Sequence, residues 1–139
     1  MASAVYNEGK YLFLTGLDLS SADLRALLVK DTFAFNADHD FVDDVVASEV
    51  TGGSYVRQAL TSEAVARDFA GDRAFLDAAD TTFPGVASGQ DDINAAIVFL
   101  QNAVDSAAAL IAFLDWTPIQ GNGSDIAVQW NANGILQIA

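Results

Sequence analysis

The beginning of the chain carries its hydrophobic side chains at helical spacing. At about 100° per residue, the polar residues Asn7, Glu8 and Lys10 lie largely on one side. The opposite side holds Ala2, Val5, Tyr6, Gly9, Leu12 and Phe13. Because Gly16 follows as a stop signal, the pattern predicts an amphipathic helix over residues 2–15 that lies on an apolar surface.

Alternation with a period of two predicts strands in the carboxyl-terminal third. Ile126, Val128 and Trp130 share one face of their segment, and more polar residues lie between them. The Asn133-Gly134 pair that follows accepts positive φ angles at little cost. Residues 125–139 are therefore predicted to form a terminal hairpin.

A second hairpin is predicted upstream of the first. Residues 61–69 and 73–80 both have strand-like patterns, and an Ala-Gly-Asp turn centred on Gly71 lies between them. This arrangement is typical of two antiparallel neighbours joined by a short turn.

Two hydrophobic stretches fit either a helix or strands. Residues 20–30 begin with a weak capping box and carry leucines at helical spacing. Residues 93–116 contain enough alanine to form one long helix. However, Ile97–Leu100 and Leu110–Leu114 are short apolar runs separated by polar residues, which is the pattern of two buried strands around a loop. The local pattern leaves both structures open.

Composition narrows the class of protein. The 139 residues are 52% hydrophobic, which is ample for one globular domain over residues 1–139. The absence of cysteine excludes disulfides and thiolate chemistry. With 19 acidic and 6 basic residues the net charge is −13, which disfavours nucleic acid and anionic lipid as partners. No secretory signal is predicted at the start, and no apolar run approaches the roughly 20 residues that span a bilayer.

The densest cluster of candidate ligands lies in residues 36–44. Asn36, Asp38 and Asp40 have the opening spacing of a calcium loop, but the loop glycine and the closing glutamate are missing. A solvated acidic loop is therefore the favoured interpretation, and no metal or cofactor is predicted. His39, the only histidine, would have to act as the base in any hydrolase, and no Gly-x-Ser-x-Gly motif is present. We predict that the chain is not an enzyme.

Adjacent carboxylates and isolated aromatic or basic residues have plain structural interpretations. Asp43-Asp44 is expected on the charged face of a short helical turn, and Asp91-Asp92 in a turn or at the start of a strand. Trp130 is in phase with the strand pattern and is predicted to pack in the core, whereas Trp116 is less constrained. The remaining candidates, Arg57, Arg67 and Arg73, would pair with neighbouring aspartates or dock on an acidic patch of a partner.

A series of short motifs in one order resembles a family of small virion proteins of tailed bacteriophages. The motifs are Tyr6-Asn7-x-Gly9-Lys10, Leu17-Asp18-Leu19, Asp38-His39-Asp40-Phe41, Asp43-Asp44-Val45, Glu49-Val50-Thr51-Gly52 with Tyr55, Asp77-Ala78-x-Asp80, Ile97–Phe99, Leu110–Trp116 and Ile126-x-Val128-x-Trp130-Asn131-x-x-Gly134-Ile135. Each motif alone is short, but their common order covers nearly the whole chain.

The resemblance implies a capsid decoration, or cement, protein. The implied fold is mainly β, a β-sandwich or jelly-roll-like domain with a short N-terminal helix, in which residues 23–30, 93–100 and 108–116 are strands. The implied location is the outer capsid surface of the virion, and the implied partners are the major capsid protein and further copies of the chain as a homo-dimer or homo-trimer. We expect Met1–Tyr6 or Gly134–Ala139 to contact a capsid neighbour.

An alternative function belongs to another class of protein. A phage tail or surface adhesion module could bind a host glycan through Trp116, Tyr55 and the 36–44 loop. The number of copies on each particle separates these two hypotheses.

Overall fold

The computed structural model describes residues 2–139, which form ten strands and one α-helix. Three short 3-10 turns, at Val42–Asp44, Val46–Ser48 and Asp105–Ala107, interrupt the loops. In chain order the elements are β1 (Ala2–Val5), α1 (Asn7–Thr15), β2 (Leu24–Lys30), β3 (Gln58–Ala59), β4 (Ala64–Asp68), β5 (Arg73–Asp77), β6 (Thr81–Phe83), β7 (Ile93–Leu100), β8 (Leu110–Ile119), β9 (Ile126–Val128) and β10 (Leu136–Ile138).

The strands form one large antiparallel sheet and two small ones. The large sheet has the order β1-β8-β7-β2-β3, and the small sheets have the orders β10-β5-β4 and β6-β9. The fold is therefore mainly β and sandwich-like, with a short helix near the N-terminus, as the sequence analysis predicted.

The two ambiguous stretches are strands. The interiors of β2, β7 and β8 are buried on both faces of the large sheet, and strands of this kind are apolar at nearly every position. The helical spacing of the leucines in β2 is a consequence of this nearly continuous apolar sequence. The polar residues after Leu100 form a loop with a 3-10 turn and return the chain antiparallel to β7. Burial on both faces overrides the helix propensity of the alanines.

Each face of the large sheet supports its own hydrophobic core. The first core joins one face of the large sheet to residues of the small sheets, including Leu76, Phe83 and Leu136. The second core lies on the other face, where Tyr6 and Val42 cover it. The loop of residues 33–45 therefore covers the second face, and the small sheets cover the first.

The predicted helix over residues 2–15 is correct only in its second part. Ala2–Val5 is a strand that pairs with residues 112–115 of β8, and the helix begins at Asn7. Pairing of β1 with β8 satisfies backbone hydrogen-bonding groups of both strands. A helix over residues 2–5 would leave the groups along this edge of β8 without a partner strand. The helix ends as predicted at Gly16, which has a φ of 102°.

The terminal hairpin prediction is wrong, although both of its strands exist. β9 pairs with β6, and β10 pairs with β5. The chain between them is anchored by Trp130, whose ring nitrogen donates to the carbonyl oxygen of Ala79 at 3.0 Å. Burial of apolar side chains against distant strands therefore outweighs the local turn signal at Asn133-Gly134.

The upstream hairpin is confirmed, because β4 and β5 pair in register across residues 69–72.

Candidate interaction surface

The acidic segment 36–44 uses its oxygens to hold the loop itself. The Asn36 side chain accepts from the backbone nitrogen of Asp38 at 3.0 Å, and Asp38 accepts from the Asn7 side chain at 2.8 Å. Asp44 accepts from the backbone nitrogen of Asp40 at 2.9 Å and lies in a 3-10 turn, as predicted for the Asp43-Asp44 pair. Within residues 2–139, no three His, Cys, Asp or Glu side chains cluster as metal ligands would.

His39 is half-buried beside an aromatic ring. Its ring centroid lies 6.0 Å from that of Phe33, and its Nδ1 atom is buried with no hydrogen-bond partner among residues 2–139. Its neighbours in the described chain thus supply neither a nucleophile nor an orienting carboxylate by hydrogen bond.

The aromatic residues of the glycan hypothesis are engaged inside the protein. Trp130 packs in the first core as predicted, and Trp116 is half-buried there with its ring nitrogen donating to the Ile93 carbonyl oxygen at 3.1 Å. The Tyr55 ring stacks on Phe83 at 6.0 Å between centroids. Because the 36–44 loop covers the opposite core, these candidates do not share one platform.

An ion-pair network centres on Arg57, which is half-buried. Its guanidinium forms two hydrogen bonds of 2.7 and 2.8 Å to the buried Glu49 carboxylate and bonds of 2.7 and 3.0 Å to Asp105. The Tyr55 hydroxyl donates to Glu49 at 3.0 Å and accepts from the backbone nitrogen of Leu28. The guanidinium also lies 5.5 Å from the centroid of the Phe99 ring.

The network shifts the titration of its members in the directions expected for a structural cluster. Hydrogen bonds to Glu49 and Asp105 raise the pKa of Arg57, and hydrogen bonds from Arg57 lower the pKa of Asp105. Burial raises the pKa of Tyr55 well above its ordinary value. All donors and acceptors face one another, so the network joins β2, the loop after residue 48 and the turn before β8.

The expected pairing of arginines with neighbouring aspartates is correct for one of the three. Arg73 pairs with Asp68 at 2.9 Å, five residues away. Arg57 pairs with remote carboxylates instead, and the exposed Arg67 side chain has no hydrogen bond or ion pair to any of residues 2–139. Asp91-Asp92 lies immediately before β7, which confirms its predicted place at the start of a strand.

An exposed apolar groove lies between the helix and the C-terminal strand. We call it the helix groove; it measures about 410 Å³ and is lined by Val5, Lys10, Phe13, Leu14, Gln137, Ile138 and Ala139. Leu14 is 90% exposed and Ile138 is 60% exposed. Lys10 is the one charged side chain in the lining, in a chain of net charge −13.

The fold brings the helix groove together from both ends of the described chain. Gly9 allows the helix to approach β8 closely, because a Cβ atom there would lie 2.9 Å from the Ile111 carbonyl oxygen. Leu12 and Phe13 pack on the first core, which turns Leu14 outwards. Pattern analysis of the sequence missed the groove, because its two sides are more than a hundred residues apart. The one signal in the sequence was Leu14, an apolar residue on the polar side of the helix.

No helix in residues 2–139 has the length and apolar character required to cross a membrane. Comparisons with protein-family models, curated proteins and solved structures found no match to this chain.

Proposed function

We propose that this protein is a structural virion protein that binds the outer surface of a phage capsid as a decoration, or cement, protein. It stabilises contacts between major capsid subunits. The ordered motifs described above suggest this role, and the observation that carries it in the fold is the helix groove. Both terminal segments that we expected to contact a neighbour, residues 1–6 and 134–139, contribute to its lining.

The chemistry of the helix groove fits docking on a coat protein. Leu14 and Ile138 supply exposed apolar area, which drives protein association when it leaves water. Since Lys10 is the only charged side chain of the lining, the lining side chains carry none of the negative charge that dominates the chain as a whole. The predicted partner surface is apolar, with an acidic or neutral rim that Lys10 can approach.

The overall charge supports a place outside the shell. Packaged DNA is a dense polyanion, and a chain of charge −13 is repelled from it. The outer face of the shell presents no such polyanion. A rigid domain with a stable ion-pair network suits a role in which many copies resist deformation of the shell.

The experiment compares Leu14→Asp with Val104→Asp for binding to purified capsid shells. Both residues are exposed and both changes add one negative charge, but Val104 does not line the helix groove. We expect Leu14→Asp to reduce occupancy at least about tenfold, because truncating an interface anchor typically costs 2 kcal/mol or more. It should also abolish the rise in the temperature at which shells disrupt. Equal occupancy of the two variants would contradict this role for the groove.

A further inference from the structure

The strand β4 forms an unpaired edge of the three-stranded sheet. The sheet order is β10-β5-β4, and β4 pairs on one side only, with β5. Its residues Ala64–Asp68 contain no proline, and their pairing with β5 shows no bulge. Such an edge is a ready template for another strand unless its side chains oppose pairing.

The charges on this edge are arranged symmetrically around an exposed valine. Val65 and Arg67 share one face of β4 by strand alternation, and Glu63, immediately before the strand, continues the spacing of two residues. Val65 is 50% exposed. Neither the Glu63 side chain nor the Arg67 side chain has a hydrogen bond or ion pair to any other residue of 2–139.

We propose that two copies of this chain associate by antiparallel pairing of their β4 edges around a twofold axis at Val65. In this register Val65 lies opposite Val65 of the second copy. Glu63 of each copy lies opposite Arg67 of the other, which forms two ion pairs. The result is a continuous six-stranded sheet across the dimer, and an isologous interface of this kind closes after two copies.

The charge pattern selects one register. Pairing centred on Ala66 would place Val65 opposite Arg67 and leave both charges unpaired. Pairing centred on Arg67 would place two arginines opposite each other, which is destabilising. Only the register centred on Val65 pairs both charges, and opposite charges directly across an antiparallel pair are favourable.

The surroundings of β4 permit two acidic chains to approach here. Residues 63–75 carry two arginines against one glutamate and two aspartates, a local charge of −1, whereas the whole chain has a net charge of −13. Phe69, at the end of this edge, is 84% exposed and would lie beside residue 61 of the second copy. Since the paired segment is short, the interface lies at the small end of the known range, and we expect a weak, concentration-dependent dimer.

The test is sedimentation equilibrium of the purified chain with exchanged charges. Glu63→Arg alone and Arg67→Glu alone should each weaken self-association at least about tenfold, because each replaces two attractive pairs by two repulsive ones. A one-to-one mixture of these two variants should form a heterodimer, since every opposed pair is again of opposite charge. The double variant E63R/R67E should self-associate like the original chain.

Lys30→Glu is the matched control, because it changes net charge by the same amount as Arg67→Glu away from β4. It should leave the dimer unchanged. The inference fails if the original chain stays monomeric up to about 1 mM, if the mixture does not associate, or if Lys30→Glu weakens association equally. These measurements need no capsid, so their outcome is independent of the role proposed for the helix groove.

Discussion

The strands of the large sheet and of the three-stranded sheet differ in how deeply they are buried. The interior of β7, from Ala95 to Phe99, is buried on both faces. In β4 three of five residues are exposed, and no residue is buried. The large sheet therefore contributes to both hydrophobic cores, whereas the β4 edge of the small sheet lies at the surface.

The two regions also treat their arginines differently. Arg57 is bound by the buried Glu49 carboxylate and by the partly exposed Asp105 carboxylate, whereas the Arg67 side chain extends from the β4 edge without a partner in residues 2–139. An internal ion pair of this type stabilises one arrangement of loops, and an unpaired exposed charge is available to a second molecule. Variants of matched residues in the two regions can test this division.

The largest effect should come from Arg57→Met compared with Arg67→Met. Removal of Arg57 leaves the buried Glu49 carboxylate without its counter-charge, which costs about 3–5 kcal/mol in free energy of unfolding. Arg67→Met should change stability by no more than about 0.5 kcal/mol. Urea denaturation of both variants measures the difference, and similar midpoints would contradict the structural role of the network.

The second largest effect should be the difference in stability between Ile97→Ala and Ile138→Ala. Ile97 is fully buried in β7, so Ile97→Ala should cost about 2–5 kcal/mol through lost burial and a residual cavity. Ile138 lines the helix groove and is exposed, so Ile138→Ala should change unfolding by about 0.5 kcal/mol or less. The same variant should weaken binding to capsid shells. A large loss of stability from Ile138→Ala would show that the groove belongs to the core.

The smallest effect should be a pH dependence at Asp105. Because Arg57 lowers the pKa of Asp105 in the folded state, the ion pair contributes fully above the unfolded pKa of about 4 and is lost as the pH falls through the lowered folded value. The Asp105 side chain is 42% exposed, so solvent screens the pair and we expect Asp105→Asn to cost about 1 kcal/mol or less at pH 7.

Denaturation curves between pH 7 and pH 2 measure this contribution. Asp105→Asn should lose less stability on acidification than the original chain. Asp43→Asn, at an exposed carboxylate in the 3-10 turn, should follow the original curve. An identical acid profile for all three proteins would contradict the assignment to Asp105.

Local patterns were sufficient for structures that form between sequence neighbours. The β4–β5 hairpin could be predicted because its turn and both strands lie within residues 61–80. The β identity of residues 24–30 and 93–116 could not be decided from spacing, because strands buried on both faces lose the period-two signal. There the order of short motifs, and not periodicity, indicated strands.

Non-local contacts decided what the sequence patterns could not. β9 pairs with a strand about 45 residues earlier and β10 with one about 62 residues earlier, so the turn at Asn133-Gly134 was a misleading signal. The Arg57–Asp105 pair spans 48 residues, and the helix groove joins both ends of the described chain. Charge and hydrophobicity identify such residues as candidates, but tertiary packing selects their partners.

The most direct test of the proposed role is the position and number of copies on purified phage particles, measured by cryo-electron microscopy. We predict on the order of hundreds of copies on the outer face, arranged with the symmetry of the coat lattice and with Leu14 and Ile138 against coat subunits. A chain that is absent from the exterior, or present only at the tail, would contradict the account.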